Sequence, residues 1–205
     1  ATHAPTTTTL RRSPTVSDQP PTPEVRHTNP LPRIYVASLS DYNAGRLHGR
    51  WIDVTGHVDS IYSEITDMLA TAPEPGAEEW AIHDYEGFGP VRLSEYENLD
   101  TVAAIGEGIA THGYAFAAWA SHLDRGDLDQ LDAFEDHYRG KWPSLDAYAE
   151  DLLESLGYDL DELGPPELAP YIRFDLDAWA NVTASDLIVV EDPESGEVHI
   201  FDIPD

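Results

Sequence analysis

The chain of 205 residues is strongly acidic: 39 Asp and Glu stand against 11 Lys and Arg, a formal net charge of −28. This charge argues against nucleic acid or an anionic membrane as a direct ligand and favours a basic partner, many cations or a salty environment. The absence of cysteine excludes disulfides and thiolate chemistry. No apolar run is long enough to span a membrane and no secretory signal is visible, so we expect a cytoplasmic protein.

Residues 1–32 have the composition of a disordered tail. They hold seven of the sixteen prolines and many threonines, but little that could form a core. Only two acidic residues, Asp18 and Glu24, precede Ile34, together with four arginines. From Ile34 onward the chain has 37 acidic and 7 basic residues. The part of the chain that can fold therefore carries the negative charge.

Residues 33–97 alternate between strand and helix signals and predict an N-terminal α+β domain. RIYVAS and GRWIDV are strand candidates separated by turn residues. A helix capped by Asp59 or Ser60 follows, and then the strand EEWAIHDYE. Alternation along that strand places Trp80, Ile82 and Asp84 on one face and Ala81, His83 and Tyr85 on the other. We therefore expect the His83-Asp84 pair to be structural.

Residues 98–135 read as a central helical domain. Asp100 precedes the pattern TVAAIGEGIATHG, YAFAAWASHL forms a second helical segment, and DLDQLDAFEDHYR a third that ends at Gly140. A C-terminal α+β domain is predicted over residues 136–205. There Ser144 caps the helix SLDAYAEDLLESLG, Gly157 ends it, and LIVVEDPESGEVHIF has the pattern of a β-hairpin.

No residue pattern in the chain indicates catalysis or metal binding. A GxSxG nucleophile elbow is absent, and so is a HExxH pair. The aspartate-rich stretch 124–135 lacks the glycine that an EF-hand loop needs at its sixth position. We predict no catalytic residue, no metal and no cofactor.

Acidic side chains instead repeat along the polar faces of the last two predicted helices before residue 157. The helix that follows Ser144 carries Asp146, Glu150 and Glu154 every four residues, with Asp151 beside them. The preceding segment adds Asp124, Asp127, Asp129, Asp132, Glu135 and Asp136. Like charges four residues apart are destabilising, by about 0.2–0.5 kcal/mol per pair. Their number therefore needs an explanation other than stability.

The spacing of these carboxylates is compatible with imitation of DNA phosphates. A rise of about 1.5 Å per residue separates them by roughly 6 Å along a helix, whereas one DNA strand carries a charge about every 3.4 Å. Two neighbouring acidic faces come close to that density. The 37 acidic residues from Ile34 onward correspond to about 60 Å of duplex at roughly 1.7 Å per charge.

Composition leaves two main hypotheses open, a DNA mimic and the solvated acidic surface of a salt-adapted protein that binds a basic partner. A salt-adapted protein should lose structure in low salt, whereas a mimic should stay folded. A hydrolase with a carboxylate pair is a third hypothesis, but no constellation of residues supports it.

Four segments, in order, resemble the ArdA antirestriction proteins: RIYVASLSDYNAGRLHGRWIDV at 33–54, EEWAIHDYEGF at 78–88, YRGKWPSLDAYAEDLLESLG at 138–157 and PYIRFDLDAWA at 170–180. Several long segments in the same order are a far more specific signal than one short motif. The resemblance covers about residues 33–205 and leaves the Thr/Pro tail unmatched.

The resemblance implies an elongated α+β homodimer of three small domains, carried by plasmids and conjugative transposons. Such proteins imitate bent B-form DNA, occupy the DNA-binding groove of type I restriction-modification enzymes and block restriction, and often modification, without chemistry of their own. It further implies a dimer contact in the C-terminal domain. The ten acidic residues named above are then the expected phosphate surrogates.

Overall fold

The computed structural model describes residues 30–123, 128–159, 164–165 and 167–204. Within them the chain forms two three-stranded antiparallel sheets, one near each end, with helices between and around them. The predicted α+β class is therefore confirmed. The predicted tail at 1–32 lies outside the described residues except at its last three positions.

The first sheet consists of β1 (Arg33–Ser38), β2 (Gly49–Asp53) and β3 (Trp80–Glu86), in the order β2-β1-β3. All three strands match the predicted ones. The central strand β1 buries Ile34 and Val36 completely, as expected for a β-branched strand that packs against a helix.

The pairing of β3 differs from simple alternation at His83. Tyr35 pairs with Asp84 and Val36 with Ile82, so His83 is skipped and forms a bulge. Beyond the bulge the faces of the strand exchange, and Tyr85 pairs with buried Ile34. The predicted faces were therefore wrong for Tyr85, which shares the face of Ile82, and for Asp84, which pairs with Tyr35 on the opposite face.

Two helices accompany the first sheet: α1 (Leu39–Asn43), in a stretch expected to be a turn, and α2 (Val58–Ala70). Ile61, Ile65 and Met68 form the buried face of α2. The predicted N-caps of α2 were wrong, because the capping position is His57, which makes no side-chain cap hydrogen bond. Asp59 instead lies in the first turn, where a carboxylate interacts favourably with the helix dipole.

The middle of the chain contains α3 (Leu99–His112), α4 (Tyr114–His122), α5 (Leu128–Asp132) and α6 (Phe134–His137). Asn98 caps α3 in place of the predicted Asp100. Gly106 brings α3 against the first sheet, because a Cβ at this position would lie 2.3 Å from the Val54 carbonyl oxygen. The predicted third helix was too long: it breaks into α5 and α6 and gives way to a strand before Gly140.

The second sheet consists of β4 (Tyr138–Trp142), β5 (Leu187–Glu191) and β6 (Val198–Asp202), in the order β4-β6-β5. The predicted hairpin is confirmed as β5 and β6. Two helices pack together beside this sheet, α7 (Leu145–Ser155) and α8 (Leu176–Thr183). Ser144 caps α7 as predicted, with its hydroxyl accepting from the Ala147 N–H.

One buried cluster of apolar side chains runs through both sheets and the central helices. It includes Ile34 and Ile61 near the first sheet, Val102 and Trp119 in the helices, and Phe201 in the second sheet. The proposed boundaries at 33–97, 98–135 and 136–205 are untested by this cluster and stay a prediction.

Candidate partner-binding surface

Helix α7 presents its carboxylates on the side opposite its buried residues. Ala149 and Leu153 are buried, whereas Asp146, Glu150, Asp151 and Glu154 are all exposed. Steps of four residues along an α-helix return to nearly the same face and advance about 6 Å. Asp146, Glu150 and Glu154 therefore form an exposed row, with Asp151 beside it.

A second group of carboxylates lies on α5 and α6. Leu131 and Phe134 anchor these short helices in the core, and Asp132, Glu135 and Asp136 are exposed. Asp124 and Asp127 lie outside the described residues. Asp129 lies in α5, and its side chain is not described.

Seven carboxylates of these two groups have described side chains. None of them makes an ion pair or a side-chain hydrogen bond within the part of the chain that the structure describes. We call the seven residues the acidic face: Asp132, Glu135, Asp136, Asp146, Glu150, Asp151 and Glu154. Their charges remain available to a partner.

Several basic side chains, by contrast, are engaged inside the molecule. Arg33 pairs with Glu86, Arg46 with Asp41 and Glu74, and Arg139 with Asp202. The ammonium of Lys141 lies 2.8 Å from Asp192 and 2.9 Å from Glu197. Carboxylates outside the acidic face thus neutralise these bases.

Among the residues that the structure describes, Asp192 is one of two buried carboxylates, and both have a structural role. Burial raises the pKa of Asp192, but hydrogen bonds from Lys141, from the Glu194 N–H and from the Ser195 side chain at the hairpin turn outweigh that effect and hold the pKa well below its usual range. His199 lies beside this pair and donates to or accepts from the Tyr138 hydroxyl at 2.9 Å. Burial and the Lys141 charge lower the pKa of His199.

Asp41 is the other buried carboxylate, and it fastens α1 to the loop after α2. It accepts hydrogen bonds from the Ser38 hydroxyl at 2.8 Å and from the Glu74 N–H at 3.1 Å, with Arg46 at 3.5 Å. Burial raises the pKa of Asp41, yet these contacts bring it below the ordinary value. Sequence reasoning missed this buried role of Asp41 because nothing local distinguishes it from exposed acids.

His83 and Asp84 make separate contacts in the structure. The ring of His83 packs edge-on against Tyr42, with centroids 4.8 Å apart. Asp84 is exposed and accepts from the Tyr85 N–H. Among the described residues, no group of three or more His, Asp or Glu side chains is arranged to hold a metal ion, and no helix is long and apolar enough to cross a membrane.

Comparison with known proteins now adds to this geometry. A search of curated proteins finds no match. The model of one family, described as antirestriction protein (ArdA), matches residues 34–193, about four-fifths of the chain. The match includes both groups of the acidic face and most of the two sheets. The chain therefore belongs to the ArdA family of antirestriction proteins, which inhibit restriction enzymes and are not enzymes themselves.

Proposed function

We propose that this protein imitates B-form DNA and occupies the DNA-binding groove of a type I restriction-modification enzyme. In doing so it blocks restriction and, because both activities need the same DNA, modification as well. The inhibitor acts in the cytoplasm and needs no cofactor. Family membership favours a restriction enzyme over an unrelated basic partner.

The acidic face is the observation that carries this proposal. Its seven carboxylates are exposed and unpaired within the described residues, on a chain with a net charge of −28. Lysines and arginines that normally contact phosphates can pair with them, and the opposite fields steer the two proteins together. Asp124, Asp127 and Asp129 belong to the same proposed surface.

The spacing supports phosphate mimicry. Carboxylates about 6 Å apart on α7 are sparser than the phosphates of one strand, about 3.4 Å apart along the axis. The carboxylates of α5 and α6 add to this exposed charge. We propose that the two groups together approach the charge density that a DNA-binding groove meets on its normal ligand.

Reversal of four charges on α7 tests the proposal. We expect the variant Asp146→Lys, Glu150→Lys, Asp151→Lys, Glu154→Lys to stay folded by circular dichroism, because all four side chains are exposed. Its inhibition of a type I enzyme should weaken by about tenfold or more, since charge pairs contribute collectively. Single reversals should have little effect.

A matched control reverses four exposed acids near the first sheet, Asp53, Asp67, Glu78 and Glu79, and changes the net charge equally. It should inhibit more strongly than the α7 variant. Equal inhibition by the α7 variant and the native protein would show that the acidic face is wrongly assigned.

We further propose that the protein is a homodimer with its contact in residues 136–205. Large apolar side chains are exposed there, including Tyr158 at 59%, Tyr171 at 83% and Val182 at 66%, and such side chains commonly become buried in interfaces. Sedimentation equilibrium should give twice the chain mass of 22.7 kDa. A mass equal to one chain at micromolar concentration would contradict the dimer.

A further inference from the structure

An open cavity of about 280 Å³ lies between α3 and the short helices α5 and α6. Phe116 and Phe134 form its aromatic side, with ring centroids 5.2 Å apart and nearly all of their surface buried. The size is just below the range of about 300–1,000 Å³ that is usual for small-molecule sites. It suits one long side chain better than a folded segment.

The aromatic side of the cavity depends on a close approach to α3. A Cβ at Gly108 would lie 2.3 Å from the Phe116 ring, so only glycine lets the ring reach this position. The ring of His112 lies 4.7 Å from Phe134 and 6.1 Å from Phe116. Three rings therefore meet beside one opening.

Carboxylates line the same cavity. Glu107, Asp132 and Glu135 are exposed, and none makes an ion pair within the described residues. The Thr111 hydroxyl donates to the Glu107 carbonyl and is already engaged. Carboxylates alone would not distinguish this place from the rest of the acidic face, but the aromatic side does.

The exposed ring of His112, which packs against Phe116 and Phe134, lies beside these carboxylates, and such an arrangement suits a planar cation. A guanidinium stacks on aromatic rings and donates in a fork to carboxylate oxygens. Anions are repelled by the three carboxylates, and a neutral side chain would leave the carboxylates without a partner. Arginine is also enriched among the residues that dominate binding energy at protein interfaces.

We propose that this cavity binds an arginine side chain of the restriction enzyme, an inference that rests on the proposed function. The phosphates of DNA offer no aromatic pocket, so this contact is one that the enzyme makes with the inhibitor and not with DNA. It anchors the complex at α5 and α6, beside Asp132 and Glu135 of the acidic face.

Filling the cavity without changing any charge tests the proposal. Ala104 is half-buried and lines the cavity, so Ala104→Leu should occupy it. We expect the Kd for a type I enzyme to rise about tenfold. The control Ala70→Leu adds the same bulk at an exposed position of α2 and should leave the Kd unchanged.

Amide NMR measures the cavity without the enzyme. N-acetyl-arginine methyl ester should shift the amide signals of Gly108, Thr111 and Glu135 in the native protein but not in Ala104→Leu. The neutral citrulline analogue should leave them in place. The same spectra show whether Ala104→Leu keeps the native fold.

The two measurements separate the inference from the function on which it rests. Suppose that the enzyme binds the native protein and Ala104→Leu with equal Kd, and that the arginine ester does not shift the amide signals of the cavity. The arginine site is then wrong, but the proposal of DNA mimicry is unaffected. If the ester fills the cavity but the protein never competes with DNA, the site stands and its assigned partner is wrong.

Discussion

Lys141, the only lysine of the chain, joins β4 to the turn of the β5–β6 hairpin. Its ammonium contacts Asp192 and Glu197, and Asp192 also accepts N–H groups of the turn. A buried carboxylate is stable when it is paired and hydrogen-bonded in this way. The cluster thus stabilises the second sheet and is unavailable to a partner.

Replacing Asp192 should therefore destabilise the protein. We expect Asp192→Asn to lower the free energy of unfolding by about 2 kcal/mol at neutral pH, because Lys141 loses its most buried partner. Urea unfolding followed by circular dichroism measures this change. The exposed control Asp186→Asn should have little effect.

The pH dependence of the same pair has a defined sign. The pKa of Asp192 is lowered in the folded state, so its stabilisation is complete above the unfolded-state value of about 3.9 and is lost as the pH falls toward the folded-state value. The difference in free energy of unfolding between the native protein and Asp192→Asn should stay constant from pH 7 to about 5. Below about pH 4 this difference should shrink toward zero. A difference that widens on acidification would contradict this role.

Individual residues mark the limit of sequence reasoning. Alternation predicted β3, but the bulge at His83 arises from the pairing with β1 and has no local signature. Ser144 was identified as a cap because an apolar stripe follows it directly. The cap predicted at Asp100 was wrong by two residues, because the side chain of Asn98 accepts a hydrogen bond from the Asp100 N–H and begins α3 earlier.

At the scale of elements, α7 shows why its charges were predictable. Its period of 3.6 residues separates buried Ala149 and Leu153 from the exposed carboxylates. The strand β4 was missed because Tyr138 continues a helical pattern. Tyr138 pairs with Phe201 in β6, and its ring contacts the rings of Phe134 and Phe201. These tertiary contacts outweigh the local preference for a helix.

Repulsion within the row Asp146, Glu150 and Glu154 on α7 should lower the free energy of unfolding, although the same charges favour binding to a basic partner. Glu150→Gln with Glu154→Gln removes a like-charge pair four residues apart, so the free energy of unfolding should rise by about 0.2–0.5 kcal/mol. Asp146 is left in place because it lies in the first turn and interacts favourably with the helix dipole. Urea unfolding at low ionic strength measures the gain.

Asp67→Asn with Glu78→Gln serves as the control, because these two exposed residues are not neighbours on one helix. It should give a smaller gain than the α7 pair. A loss of stability in the α7 double variant would mean that its carboxylates make favourable contacts in the folded protein.

Over the whole molecule, the negative charge and the core have separate roles. The buried cluster of apolar side chains extends from Ile34 to Phe201, whereas all seven residues of the acidic face are exposed. The sequence predicted this division because polar and apolar residues segregate along each helix. It could not predict which acids are buried, since Asp41 and Asp192 depend on partners distant in sequence.

Competition between this protein and DNA for a purified type I restriction-modification enzyme tests the central claim most directly. Displacement of labelled DNA, measured over a range of salt concentrations, reports whether the two ligands share one site. We predict complete displacement at modest salt, with an apparent affinity that falls as salt rises, because both ligands bind through charges. Failure to displace DNA at modest salt would contradict DNA mimicry.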